Sequence, residues 1–309
     1  MPADWAVIAT RLALYADLGL LFGVPLFGLY ALRGEERANL FPFRTLIAAL
    51  AAVGAVLSGT GFMLAAAAMA GTSLGSVDPS LLAMLLSETN VGWAFAAREA
   101  ALVLALMGAI VLARKPLPLL LVASASGAVA VGTLAWSGHA AATEGSAGTA
   151  HLVADIIHML AASAWLGALA MLIALIMPRG EASPERLQMT HRALAGFGVA
   201  GTAIVGLILL SGLVNGLFLV GPGNILSLGG SLYGQLLLVK LGLFGIMLVL
   251  AGSNRFRLTP ALEVALAEED PAGAVSALRY SLGIEIGLAL TIMALVAWLG
   301  TLAPPMSGG

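Results

Sequence analysis

Eight stretches of this chain are predominantly apolar and long enough to cross a lipid bilayer: about 6–32, 43–71, 92–113, 117–138, 149–177, 189–220, 232–252 and 276–302. A spanning helix needs about 20 such residues to match the hydrocarbon thickness, and few soluble folds offer that length even once. Composition points the same way, with 60% hydrophobic and only 10% charged residues among 309, where a soluble domain carries roughly 25% charged residues. The expected fold is all-α: a polytopic membrane bundle of eight transmembrane helices in one integral membrane domain, residues 1–309. There is no soluble domain, internal repeat or cleavable signal peptide in this reading. The residues before the first span, Met-Pro-Ala-Asp, lack a positive n-region.

Basic residues set the expected orientation. Connections 33–44, 113–116, 178–192 and 253–279 hold 11 of the 14 Lys and Arg, whereas 72–91, 139–148 and 221–231 hold none. By the positive-inside rule the arginine-bearing loops face the cytoplasm and both termini face outward, to the periplasm of a Gram-negative host. Asp78-Pro79, Ser183-Pro184 and Thr259-Pro260 have the form of an N-cap followed by a first-turn proline. The last of these predicts a short helix in the final inner loop, and Asp78-Pro79 a short outer helix. Gly19/Gly23 and Gly212/Gly216 have the small-xxx-small spacing that lets helices approach closely.

Several chemistries are excluded by what the chain lacks. It has no cysteine, hence no disulfide, thiolate metal site or CxxCH haem attachment. A net charge of −2 with no basic patch argues against nucleic acid as a partner. HExxH, GxSxG and a Walker A lysine are all missing, so the expectation is neither an enzyme nor a nucleotide-driven pump. Any bound metal is held by imidazole, carboxylate, thioether or backbone oxygen.

Of four histidines, three fall within twenty residues: His139, His151 and His158. His151, Asp155 and His158 are spaced i, i+4, i+7, which places them on one face of a helix. From His151 to His158 the axial rise is roughly 10 Å, too far to share one ion at the ~2 Å of a metal–nitrogen bond. The stripe therefore reads as two stations along a path. Asp155 either ligates or orients a histidine by accepting its second N–H. His191, beside Arg192, reads as a solvated interfacial residue. Arg11, Asp17, Arg98, Glu99, Asp155, Lys240 and Glu285 lie within spans, three positive against four negative. Buried charges need partners, so this count leaves one negative equivalent for a cation or proton.

The sequence resembles the CopD family of bacterial copper-resistance and copper-uptake membrane proteins. The marks are Ser137-Gly138-His139-Ala140, His151-x3-Asp155-x2-His158, Trp165-Leu166-Gly167, Asn215, Tyr233-Gly234 with Lys240, Asn254-Arg255, and Thr89-x2-Gly92 with Arg98. The resemblance implies a multi-pass protein of the bacterial inner membrane that moves copper, as Cu(I) or Cu(II), from periplasm to cytoplasm, in company with a periplasmic copper-binding protein of the CopC type. In that reading His139 and His151 form an outer metal site and Asp155 with His158 the deeper one, with Arg98, Asn215, Tyr233 and Lys240 as supporting polar residues. Two alternatives remain open at this point: a membrane redox protein binding b-type haem between two histidines, and a docking or sensing partner for a periplasmic copper chaperone.

Overall fold

The computed structural model describes residues 4–138, 145–177 and 184–308. The protein is 89% helical, with no strand among the described residues. Its helices are α1 (Trp5–Ala31), α2 (Glu36–Asn39), α3 (Phe43–Ala70), α4 (Pro79–Glu88), α5 (Asn90–Val111), α6 (Pro116–Gly132), α7 (Gly145–Ile176), α8 (Pro184–Leu219), α9 (Leu232–Ser253), α10 (Thr259–Ala267) and α11 (Ala272–Leu299). Among the described residues, eight helical stretches are long and apolar enough to cross a membrane: α1, α3, α5, α6 with its 3-10 extension to Ser137, α7, α8, α9 running on through α10, and α11.

Polar side chains cap the starts of α1, α4, α5 and α9, and arginines finish α1, α5 and α7. Asp4 accepts the N–H groups of Ala6 and Val7, Thr89 that of Gly92 and Ser231 that of Gly234, so the free donors at the starts of α1, α5 and α9 are satisfied. Asp78 accepts the Ser80 N–H at 2.8 Å and caps α4, as its sequence predicts. At the opposite ends, Arg37 donates to the carbonyls of Gly28 and Leu29 in α1, Arg44 to Ala109 in α5, and Arg279 to Ile176 in α7. The loop arginines therefore neutralise the negative ends of three helix dipoles at one end of the bundle. Glu36 joins them. Burial pushes its carboxyl up, but the Arg33 N–H and the Arg192 guanidinium outweigh that and hold it below the usual range. This α2–α8 link is present at neutral pH and is lost only as the pH falls through that lowered value.

The two chain ends meet at the other end of the bundle. Arg11 donates to the Gly300 carbonyl, and the rings of Trp5 and Trp298 lie 5.7 Å apart. Between these ends α1 is the central column, packed against α3, α6, α7 and α11. Leu18, Leu21 and Phe27 are wholly buried along it. Its closest neighbours approach through glycine. A methyl group added at Gly23 or Gly167 would fall inside the backbone of the facing helix, and one at Gly127 of α6 would lie 2.7 Å from the Phe22 backbone. Gly19 completes the small-residue face of α1, against Ser163 and Leu166. Of the second pair, Gly212 touches the His158 ring whereas Gly216 faces open space.

The seventh span departs from expectation. The short helix predicted at Thr259-Pro260 forms as α10 with Pro260 in its first turn, but Thr259 does not cap it: it has helical dihedrals, and its N–H bonds to the Asn254 carbonyl through a π-turn at Asn254–Leu258, which joins α10 to α9. Pro260 supplies no N–H, and the wider turn absorbs the lost bond. Polar Asn254, Arg255 and Arg257 lower the local hydropathy, which is why apolar counting ends this span early. Ser183 and its cap lie outside the described residues.

Replacing Gly167 with Val forces α1 and α7 apart. Overpacking of this kind costs about 1–3 kcal/mol, so Gly167→Val is expected to lower the detergent-solubilised melting temperature, while Gly216→Val, in open space, leaves it unchanged.

Candidate functional site

The stripe on α7 meets a matching stripe on α8. His151 stacks on Phe218, ring centroids 4.7 Å apart at 11°. Asn215 donates through Nδ2 to Asp155 at 3.2 Å, and His158 Nδ1 lies 3.1 Å from Ser211 Oγ. Ser211, Asn215 and Phe218 repeat the i, i+4, i+7 spacing of His151, Asp155 and His158 in reverse order. Two antiparallel helices thus bring like positions into register at three levels.

The hydrogen bonds at His158 decide its chemistry. The Ser211 hydroxyl donates to the Leu207 carbonyl, so its oxygen is left to accept from His158 Nδ1–H. Nε2 then carries the lone pair, which is the form of imidazole that binds a metal. Gly212 allows the ring to sit there: an added Cβ would lie 3.3 Å from His158 Cε1.

Asp155 is the point where most elements converge. Besides Asn215, Tyr233 and Lys240 of α9 and Tyr15 of α1 lie close enough to feel its charge, and Lys240 acts on His158 as well. An added Cβ at Gly138 would lie 3.8 Å from Asp155 Oδ2, so the segment after α6 reaches the same spot. The neighbouring His139 lies outside the described residues. Asn215 is buried, and its Oδ1 has no hydrogen-bond partner among the described residues. A carboxylate, an imidazole nitrogen and a spare amide oxygen are donors that a metal cation can use. No group of three His, Asp or Glu gathers in one place among the described residues. His151 and His158 occupy separate levels of the stripe.

Arg98 stands apart from this group. It is buried in α5, bonds Ser58 of α3 at 2.8 Å and reaches Thr133. Tyr15 lies between the two regions, within electrostatic reach of Arg98 and Asp155 alike. His191 is less solvated than the sequence predicts: its side chain is 21% exposed and its Nε2 lies 3.7 Å from Glu263. Asp17 and Glu285 are buried carboxyls with no basic group within ion-pair distance among the described residues. Arg11 turns to a backbone carbonyl instead. Ser211, Phe218 and Tyr15 were not singled out by sequence; the repeated spacing on α8 was the signal for the first two.

Residues 1–149 match the family model described as copper resistance protein D-like, N-terminal domain, and residues 191–299 match that of copper resistance protein D. The chain is 44% identical over 304 residues to copper resistance protein D of Pseudomonas syringae pv. tomato, covering 98% of each. It is 32% identical over 267 residues to copper transport protein CutJ of Bacillus subtilis (strain 168), which is 81% of this chain and 46% of that longer protein. It is 28% identical over 303 residues to inner membrane protein YebZ of Escherichia coli (strain K12), covering 96% of this chain and 98% of YebZ. No solved structure matches the chain.

Nitrogen NMR of histidine-labelled protein tests the His158 assignment directly. The wild type is expected to show one neutral ring with its proton on Nδ1, and Ser211→Ala, which removes a bond worth on the order of 1 kcal/mol, a mixture of both tautomers.

Proposed function

Because the chain belongs to the copper resistance protein D family, and because α7 and α8 carry matched polar stripes through an apolar bundle, we propose that it moves copper across the bacterial inner membrane. The observation that carries the reading is the Asp155–Asn215 and His158–Ser211 pairing, which holds metal donors in place inside spanning helices. Polar groups at that depth are costly unless they serve a function or a partner. The name of the Escherichia coli relative supports the inner membrane, and the names of the other two support copper as the substrate.

The arginine-bearing loops face the cytoplasm in this proposal, by the positive-inside rule. Both termini and the His151 end of the stripe then face the periplasm, and import is the proposed direction. His139 and His151 receive copper, handed over by a periplasmic copper-binding protein of the CopC type. Roughly 10 Å further along α7, His158 Nε2 and Asp155 form the next station. Imidazole binds copper in either oxidation state, and its neutrality favours release. Lys240 compensates Asp155 when no cargo is present. Arg98 and Tyr233 hold the surrounding helices.

Cellular copper content tests the proposal, with expression of each variant checked in the membrane fraction. His151→Ala, Asp155→Asn and His158→Ala are each expected to reduce uptake by about tenfold or more, the usual effect of removing a ligand or its support. Uptake at the wild-type level in all three variants would refute the path through these residues, and no difference between cells with and without the protein would refute copper transport. An optical spectrum of purified protein separates haem from copper: a stoichiometric Soret band that disappears on His151→Ala would assign these histidines to b-type haem.

A further inference from the structure

Glu285 of α11 is 1% exposed. It accepts a hydrogen bond from Asn254 Nδ2, and the Trp165 indole of α7 lies beside it. None of the charged groups of the elements packed on α11, Arg257 of the π-turn included, forms an ion pair with Glu285 among the described residues. Arg11 donates to Gly300, Arg279 to Ile176 and Arg255 to Thr202, while Glu263 faces His191. Lys240 and Asp155 face each other, and Asp17 sits against Gly54. A negative charge enclosed in apolar helices without a cation is strongly disfavoured.

Asn254 lies on the arginine side of this carboxyl, next in the chain to cavity-lining Arg255. It is the first residue of the π-turn, and the turn's Arg255 together with Thr259 lines a cavity of about 260 Å³ with His191, Gly198, Pro260 and Glu263. Turns of this kind interrupt helices most often at functional places. Asn254 is 8% exposed, and its Oδ1 has no hydrogen-bond partner among the described residues. An ionised Glu285 needs a donor, which Nδ2 supplies. A protonated Glu285 needs an acceptor, and rotation of the same amide presents Oδ1. One side chain therefore serves both forms of the carboxyl.

We infer that Glu285 is a proton-exchange site, reached from the arginine end through Asn254, and that a proton passes there in each transport cycle. The exchange transfers one proton between water entering from the arginine end beside Asn254 and a Glu285 carboxylate oxygen, with no electron moved. Soft copper is not the occupant, because the donors are hard oxygens with no thioether or imidazole among them. Along α7, Trp165 lies seven residues beyond His158, about 10 Å, so the site stands inward of the copper station. The coupling rests on the proposal that the bundle carries copper; the proton site does not.

Two measurements on full-length purified protein test this. In infrared difference spectra across a pH step, the wild type is expected to show a carboxylic-acid stretching band that is absent in Glu285→Gln, a variant whose amide oxygen can still accept from Asn254 Nδ2. An unchanged band overturns the proton site. In proteoliposomes loaded with a pH-sensitive dye, a Cu(I) gradient is expected to move protons in the wild type and not in Glu285→Gln, at equal melting temperature. Copper flux without proton movement overturns the coupling and leaves the copper reading standing. Absence of copper flux in the wild type overturns the copper reading, while the infrared band still decides the proton site.

Discussion

Backbone contact between α1 and α7 at Gly23 and Gly167 is the constraint on which the remaining arrangement depends. In a bilayer there is little hydrophobic force between helices, and close van der Waals packing takes its place. Where neither helix carries a side chain, α1 and α7 come near enough to lock their relative height. That height sets the level of His151, Asp155 and His158 against everything α1 touches. It brings Tyr15 within reach of Asp155, and it leaves the opposite face of α7 free to pair with α8.

Charge is distributed by the same economy. Three arginines terminate helices at one end, where partial negative charge collects. Inside the bundle, Asp155 has Lys240 as its counter-charge, whereas Asp17 and Glu285 have no basic neighbour within ion-pair distance among the described residues. A count of charges along the sequence finds one negative equivalent left over. The fold divides the account differently, because Arg11 is spent on a backbone carbonyl and Arg98 on hydroxyl groups.

Much of the architecture was legible before any coordinates. Runs of apolar residues mark spanning helices because bilayer thickness fixes their length, and Asp78 announces its own cap because capping is a local bond. Likewise the spacing of His151, Asp155 and His158 defines one face of a helix, since helical periodicity is local. The continuation of α9 into α10 was not legible: it depends on Thr259 bonding five residues back to Asn254, in a segment whose arginines read as loop. Nor was the partner of His158 Nδ1, a hydroxyl fifty-three residues away.

The sequence by itself determined an eight-helix membrane chain, the clustering of its arginines in alternate loops, and the polar stripe of α7, because hydropathy, loop charge and helical periodicity each act over a few residues. Tertiary structure alone decided that Ser211, Asn215 and Phe218 face that stripe, and that Glu285 is enclosed with Asn254 and, among the described residues, has no cation within ion-pair distance. Those outcomes depend on register and distance between helices. Glycines at the contact surfaces set both, and no local pattern encodes which glycine meets which backbone.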